Sequence, residues 1–243
     1  MTKRIDINCD LGEGSGNDRE VMPYISSCSI ACGGHFGTRE TIVQTLQYAE
    51  ENDVKVGAHP AYPDPENFGR ISMKIHPHDL QDSLRKQLDL FYSLCSSVHH
   101  IKPHGALYND LFSDINKAHA VVDVFKEYTP VTKVYCAPKS ALAKVAEKAG
   151  FIIVFEGFGD RAYDMNGQLV SRKIQGAVYD DAARISDQVL GLVLEQKVIP
   201  FSGEPIPLAV QTICMHGDNK HVVRNLKQLN NRLKAHKINV QSL

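Results

Sequence analysis

Asn8-Cys9-Asp10-Leu11-Gly12-Glu13-Gly14 is the first of five places where a short apolar run stops at a polar cluster of glycine with histidine or acidic residues. The other four are Ala31-Cys32-Gly33-Gly34-His35, Gly57-Ala58-His59-Pro60, Lys102-Pro103-His104-Gly105 and Met215-His216-Gly217-Asp218. If the runs are parallel strands, all five clusters lie at carboxyl ends, where an alternating β/α fold assembles its active site. The pattern therefore predicts an enzyme.

Working outward from these clusters, apolar runs alternate with segments whose apolar residues recur three and four positions apart, as in βα units. The predicted strands are Arg4–Asn8, Ser29–Cys32, Val54–Ala58, His100–Lys102, Val134–Cys136, Ile152–Glu156 and Thr212–Met215. Polar clusters at the ends of several strands favour a barrel over a doubly wound sheet. A doubly wound sheet usually has one dominant glycine-rich phosphate-binding turn. We therefore predict an α/β fold, a seven-stranded, irregular TIM-like β/α barrel that forms one domain over residues 1–243.

The connections between the strands carry further signals. Helical spacing is clear in Leu80, Leu84, Leu88 and Phe91, and again in Val222, Leu226, Leu229 and Leu233. Two long connections, Tyr62–Ile75 and Phe158–Val178, are predicted to cover the site. Asn166-Gly167 predicts a tight turn inside the second, between two short antiparallel strands.

Composition limits the partners. The 243 residues carry a formal charge of −1, with Lys and Arg scattered, so a general attraction to nucleic acid or to an anionic membrane is excluded. We expect neither a signal peptide nor a membrane-spanning segment, since no apolar run in the sequence is long enough to span a bilayer. The six cysteines lack the paired spacing of a zinc site and are interpreted as reduced structural thiols. We expect a cytoplasmic protein that acts on a small molecule.

Asp10 and Glu13 lie three residues apart with glycines around them, so both carboxylates could face one pocket as general bases. The alternative is an ordinary turn whose acidic residues cap the following segment. Both interpretations remain open at the level of sequence.

Three histidines, His35, His59 and His104, follow three different predicted strands. Any one of them could be an ordinary polar loop residue, but three at corresponding strand ends indicate a shared site. With Asp10 they could hold a divalent metal that polarises a carbonyl, or they could act without metal as an acid/base relay. The sequence does not decide between these two chemistries.

Further polar groups follow the same strand ends. His216 could orient substrate or transfer a proton, and Asp218 could contact substrate or simply cap the last helix. Arg70, Lys102 and Arg161 could each grip an acidic substrate, or form surface ion pairs. The chain has neither a Walker-type phosphate loop nor a Gly-x-Ser-x-Gly nucleophile elbow.

Seven blocks of residues together resemble the LamB/YcsF family. They are Asp6–Gly14, Ser29–His35, Gly57–Asp64, Lys102–Asn109, Glu156–Tyr163, Leu169–Arg172 and His216–Asn219. The resemblance implies ATP-coupled cleavage of 5-oxoproline (pyroglutamate) to glutamate, together with two partner subunits and a barrel similar to the polysaccharide-deacetylase-like superfamily. It also implies that Asp10, His59 and His104 hold a metal, as in metal-dependent members of that superfamily.

These observations lead to one set of assigned roles. We assign catalysis to Asp10, Glu13, His104 and His216, and substrate binding to His35, Arg70, Lys102 and Asp218. ATP would act together with the partner subunits, which perform or share the phosphorylation of the lactam before this barrel completes ring opening. One alternative is a stand-alone metal-dependent deacetylase or amidase, and another is a non-catalytic scaffold subunit.

Overall fold

The structure, a computed structural model, describes residues 3–128 and 133–243. The predicted domain also includes residues 1–2 and 129–132, which lie outside the described residues. The strands are β1 (Lys3–Leu11), β2 (Ser27–Ala31), β3 (Lys55–His59), β4 (His100–Ile101), β5 (Lys133–Cys136), β6 (Ile152–Phe158), β7 (Lys197–Val198), β8 (Ile206–Pro207), β9 (Thr212–His216) and β10 (Ile238–Val240).

Seven of these strands form a closed parallel barrel. Strands β1 to β6 pair in chain order, and β9 pairs with both β6 and β1 to close the circle. Strand β10 pairs in parallel with the first residues of β1, and β7 and β8 pair antiparallel with each other. The predicted seven-stranded β/α barrel is confirmed, and each of its seven strands contains most of the residues predicted for it.

Helices surround the barrel. They are α1 (Asp18–Val21), α2 (Arg39–Glu51), α3 (Pro77–Tyr92), α4 (Gly105–Asp110), α5 (Ile115–Phe125), α6 (Ala141–Lys148), α7 (Ala182–Leu190) and α8 (Val222–Ala235). The predicted apolar faces of α3 and α8 are buried. Asp218 does not cap α8, because the cap position is His221 and its side chain makes no capping hydrogen bond. None of the helices in the described ranges is long and apolar enough to cross a membrane.

Strand β1 shows why the barrel interior is polar. Asp6, Asn8 and Asp10 alternate with apolar residues, so they share one face of the strand. Asn8 Nδ2 donates to Thr212 Oγ1 over 2.7 Å, and Thr212 Oγ1 donates to Asp6 Oδ2 over 2.6 Å. Tyr135 OH donates to the same Asp6 oxygen over 3.1 Å. Buried polar groups are retained when each finds a partner, and here the network fixes the register of β1.

The long connection after β6 is only partly as predicted. Asn166 and Gly167 form the expected tight turn, with Gly167 at φ +79°. In place of two antiparallel strands, the described residues there form isolated bridges, Arg161 to Val178 and Tyr163 to Leu169. The connection therefore crosses the carboxyl end of the barrel as an irregular loop.

Candidate active site

A cavity of about 430 Å³ opens at the carboxyl ends of the barrel strands. Seven of the candidate residues from sequence line it, namely Asp10, His59, Arg70, Lys102, His104, Arg161 and His216. The two long connections complete the wall, since Arg70 belongs to the first and residues 169–173 to the second. The arrangement follows from the parallel topology, which brings the ends of all seven strands to one face.

The Lys102 ammonium lies at the base of this cavity, and the residue is only 1% exposed. Its Nζ lies 2.7 Å from Asp10 Oδ1, 2.9 Å from Glu156 Oε1 and 3.1 Å from Asn8 Oδ1. Burial opposes the charged form, but Asp10, the Cys214 thiol and Glu156 outweigh it and hold the pKa of Lys102 well above its usual range. Lys102 is therefore an internal counterion for Asp10 and Glu156. The sequence-based prediction had it bind a carboxylate of the substrate.

Beside Lys102, two histidines face each other. His59 Nδ1 lies 2.7 Å from the Lys102 carbonyl oxygen, and His104 Nε2 lies 3.0 Å from the Phe68 carbonyl oxygen. A carbonyl oxygen only accepts, so each of these nitrogens carries a proton and donates it. In neutral rings the remaining nitrogens, His59 Nε2 and His104 Nδ1, then carry lone pairs, yet they lie 3.0 Å apart.

Two carboxylates lie against the same pair of nitrogens. Asp10 Oδ2 is 3.3 Å from His59 Nε2, and Glu13 Oε1 is 3.3 Å from His104 Nδ1. Four acceptor atoms therefore converge, and a cation between them, either a proton or a metal ion, is needed to balance the cluster. Burial raises the pKa of Asp10, but His59 and Lys102 outweigh burial and hold that pKa well below its usual range.

The predicted metal ligands fit such a cation. Asp10, His59 and His104 each offer one ligand atom, and these atoms lie within 4.8 Å of one another. Metal-binding histidines usually donate their second nitrogen to a carbonyl or carboxylate, as His59 and His104 do here. Asp10 meets Lys102 through Oδ1, which leaves Oδ2 on the histidine side.

Glu13 and His35 lie outside the residues that line the cavity. His35 Nε2 bonds Glu13 Oε1 over 2.8 Å, and the His35 ring stacks on His104 with centroids 3.6 Å apart. Burial, followed by repulsion from His104, lowers the pKa of His35 to about 4, so the ring is neutral at pH 7. His35 therefore supports His104 and Glu13, whereas the sequence-based assignment placed it on the substrate.

His216 approaches the cavity from β9. Its Nδ1 lies 2.8 Å from Asp160 Oδ1, and its backbone N–H donates to Asp160 Oδ2 over 3.0 Å. Burial raises the pKa of Asp160, but His216 outweighs burial and lowers it, so the carboxylate stays ionised. A carboxylate on Nδ1 fixes the ring orientation and leaves Nε2 to exchange a proton, as in other His–Asp pairs.

Asp218 lies at the rim, outside the lining residues. It forms an ion pair with Arg70, and its Oδ2 is 3.7 Å from Arg172 Nη1. Arg70 also lies over the Phe68 ring, 4.7 Å from its centroid. The predicted substrate residues Arg70 and Asp218 are thus paired with each other.

The backbone next to His104 permits little change. Gly105 has φ +54°, and an added Cβ would lie 2.6 Å from the Gly69 carbonyl oxygen. Gly105→Ala should therefore lower the free energy of unfolding by about 1–3 kcal/mol, because the backbone must shift to relieve the contact. Urea unfolding measures the change.

Gly150→Ala is the matched control, since Gly150 also has positive φ, at +90°, but an added Cβ would meet nothing within 4 Å. A loss for Gly105→Ala no larger than for Gly150→Ala would contradict the close approach of the Gly69 carbonyl.

Sequence reasoning gave no role to Glu156, Asp160, Arg172 or Cys214. Glu156 ends the otherwise apolar run Ile152–Phe155, and an acidic residue in such a strand is a signal of a paired buried charge. Cys214 Sγ lies 3.1 Å from Lys102 Nζ, although burial, followed by Asp10, raises the pKa of the thiol. Asp160 and Arg172 lie in two of the blocks that resemble the LamB/YcsF family, and that resemblance was the only sequence signal that could have drawn attention to them.

Comparisons with known proteins agree over nearly the whole chain. It is 39% identical over 249 aligned positions to a 5-oxoprolinase subunit from Staphylococcus haemolyticus, covering 99% of this chain and 100% of that one. The solved lactam utilization protein of Thermus thermophilus superposes with a TM-score of 0.91 at 31% identity, covering 99% of this chain and 100% of that one.

A more distant likeness concerns the fold alone. The peptidoglycan deacetylase PdaC of Bacillus subtilis superposes with a TM-score of 0.50 at 9% identity, covering 100% of this chain and 88% of that one. The LamB/YcsF family profile matches residues 5–243. On this match and on the 39% identity over its full length, the chain belongs to the LamB/YcsF family.

Proposed function

We propose that this chain is one subunit of an ATP-dependent 5-oxoprolinase, which opens the lactam ring of 5-oxo-L-proline to give L-glutamate. The observation that carries the proposal is the full-length likeness to the Staphylococcus haemolyticus protein, whose name makes it one subunit of a 5-oxoprolinase. The cavity supports it, because one carboxylate, three histidines and several cationic side chains suit hydrolysis of a small anionic substrate. The six buried free cysteines suit a reducing cytoplasm.

ATP is required because a five-membered lactam is stable and its amide carbon is a poor electrophile. Transfer of the γ-phosphoryl group to the amide oxygen releases ADP and makes that carbon open to attack by water. The ring C–N bond then breaks as the nitrogen takes up a proton, and a second water releases phosphate. We assign the phosphoryl transfer to two partner subunits, alone or with this chain, and ring opening to this barrel.

The geometry supports a division of the proton transfers between the His59–His104 pair and His216. The facing nitrogens of His59 and His104 are suited to take a proton from water. Asp10 and Glu13, the general bases proposed from sequence, are less suited, because the pKa of each carboxylate is held well below its usual range. His216, oriented by Asp160, is suited to protonate the ring nitrogen.

A metal would take the place of that histidine base, because it would occupy the lone pairs of His59 Nε2 and His104 Nδ1. Asp10, His59 and His104 would hold a divalent ion, which supplies Lewis-acid polarisation of a carbonyl and lowers the pKa of bound water. His35 would then hold the His104 ring by stacking on it, while Glu13 lies against the same His104 Nδ1 that would bind the ion.

The test is release of glutamate and phosphate from 5-oxoproline and ATP, by this chain alone and with its candidate partner subunits. We expect equal amounts of both products from the mixture and neither product from the chain alone. Failure of the mixture, with all subunits shown to be folded, would contradict the proposal.

The second candidate is a stand-alone metal-dependent deacetylase or amidase. The convergence of four acceptor atoms at His59 and His104 favours it, since a metal ion satisfies such a cluster. Hydrolysis of a small acetylated sugar or amide that needs zinc or nickel but no ATP would support this candidate over the first.

A further inference from the structure

The cavity wall carries more positive than negative charge. One carboxylate, from Asp10, lines it together with five basic side chains, which are Arg70, Lys102, Arg161, Arg172 and Lys173. Lys102 is compensated by Asp10 and Glu156, and Arg70 pairs with Asp218. The remaining three cations all belong to the connection that follows β6.

Arg161 is the most unusual of the three, because it is only 5% exposed. Its Nη2 donates to the Val170 carbonyl oxygen over 2.7 Å. Its Nε is buried without a hydrogen-bond partner in the part of the chain described here, and no carboxylate of residues 3–128 or 133–243 lies within 4.0 Å of the guanidinium. A buried guanidinium without a counterion is costly, and an anion in the cavity would offset that cost.

Arg172 adds a second, incompletely neutralised guanidinium. Its nearest carboxylate oxygen, Asp218 Oδ2, is 3.7 Å away and already pairs with Arg70. Ser171 and Lys173, on either side of Arg172, also line the cavity. The two guanidiniums offer forked N–H donors that suit a multiply charged oxyanion. The Lys173 ammonium and the Ser171 hydroxyl, on the same connection, add further donors.

We propose that Arg161 and Arg172, with Ser171 and Lys173, form a phosphoryl-binding subsite within this chain. The inference rests on the proposed function, in which the substrate of this barrel carries both a carboxylate and a phosphoryl group. A dianionic phosphoryl group matches the uncompensated charge better than a single carboxylate does. A cavity of about 430 Å³ leaves room for both groups.

The test is calorimetric titration of the full isolated chain with inorganic phosphate and, separately, with 5-oxoproline. Arg172→Gln and Arg161→Gln should each weaken phosphate binding by about tenfold or more, since each removes a charge-assisted hydrogen bond. Arg4→Gln is the matched control, because Arg4 is exposed near the start of β1, at the opposite end of the barrel. It should leave phosphate binding unchanged.

Each other outcome overturns the assignment. Absence of phosphate binding, or equal binding by wild type, Arg172→Gln and Arg4→Gln, would remove the subsite. Weakened binding of 5-oxoproline with unchanged binding of phosphate would make it a carboxylate subsite. Thermal unfolding accompanies each titration, and Arg172→Gln, at a partly exposed side chain, decides the question if Arg161→Gln does not fold.

Coupled glutamate release by the wild-type mixture separates this inference from the proposed function. If phosphate binding depends on the arginines but the wild-type mixture releases no glutamate, the subsite is supported and the proposed function is rejected. Full coupled turnover by a mixture containing Arg172→Gln would reject the subsite and leave the function standing.

Discussion

Replacing His104 with alanine should lower ATP-coupled release of glutamate by about 10²–10⁴-fold, the range expected when a general acid or base is lost. The physical reason is the position of Nδ1, which lies 3.0 Å from His59 Nε2 and 3.3 Å from Glu13 Oε1 while Nε2 is fixed by the Phe68 carbonyl. Without the ring, neither a shared proton nor a metal ion can be held between these atoms.

The measurement is the initial rate of glutamate formation by the complete mixture, with near-UV circular dichroism of the variant to establish folding. His119→Ala is the matched control, because His119 is exposed on the outer helix α5. It should retain wild-type turnover. Wild-type turnover by His104→Ala would remove His104 from the mechanism, and wild-type turnover after loss of both Asp10 and His104 would favour the scaffold role.

Lys102→Met should produce the largest loss of stability, about 3–5 kcal/mol, because it leaves Asp10 and Glu156 buried without their shared counterion. The double variant Lys102→Met, Glu156→Gln should recover part of that loss, since one buried charge is removed with its partner. Turnover should be abolished in both. Urea unfolding measures stability, and Lys144→Met, at an exposed lysine of α6, should stay within about 0.5 kcal/mol of wild type.

The pH dependence of Lys102→Met gives a second check. Burial already raises the pKa of Glu156, and losing the ammonium would raise it further. A carboxyl group whose pKa is higher in the folded state stabilises that state below its unfolded pKa and loses this contribution as pH rises through the folded value. The variant should therefore lose more stability at pH 8 than at pH 5. A single variant as stable as wild type at both pH values would contradict the role of Lys102 as counterion.

The sequence located the strands because apolar runs end at glycine, proline and histidine clusters. It placed the end of β1 too early, at Asn8, because polar residues interrupt the apolar run there. In the structure β1 continues to Leu11, since Asn8 and Asp10 face a polar barrel interior while Cys9 and Leu11 are buried on the other face. The partners of that interior come from strands distant in sequence, such as Thr212 on β9 and Glu156 on β6.

The residues of the candidate site could be predicted from the sequence more completely than the role of each residue. Asp10, His59 and His104 meet because parallel strands end on one face, which the order of the strands already implies. The role of Lys102 depends on Glu156, 54 positions later, and the role of Asp218 depends on Arg70, 148 positions earlier. Pairings at such separations depend on how the barrel closes, so they cannot be predicted from the local spacing of residues in the sequence.

By itself the sequence determined the barrel class, the strands and the set of polar groups at their carboxyl ends, because periodicity and turn residues are local properties of the chain. Only the tertiary structure decided which of those groups face the cavity, which support others from behind, and which are neutralised. Burial and the distance between opposite charges set these properties, and both arise only when distant segments pack together.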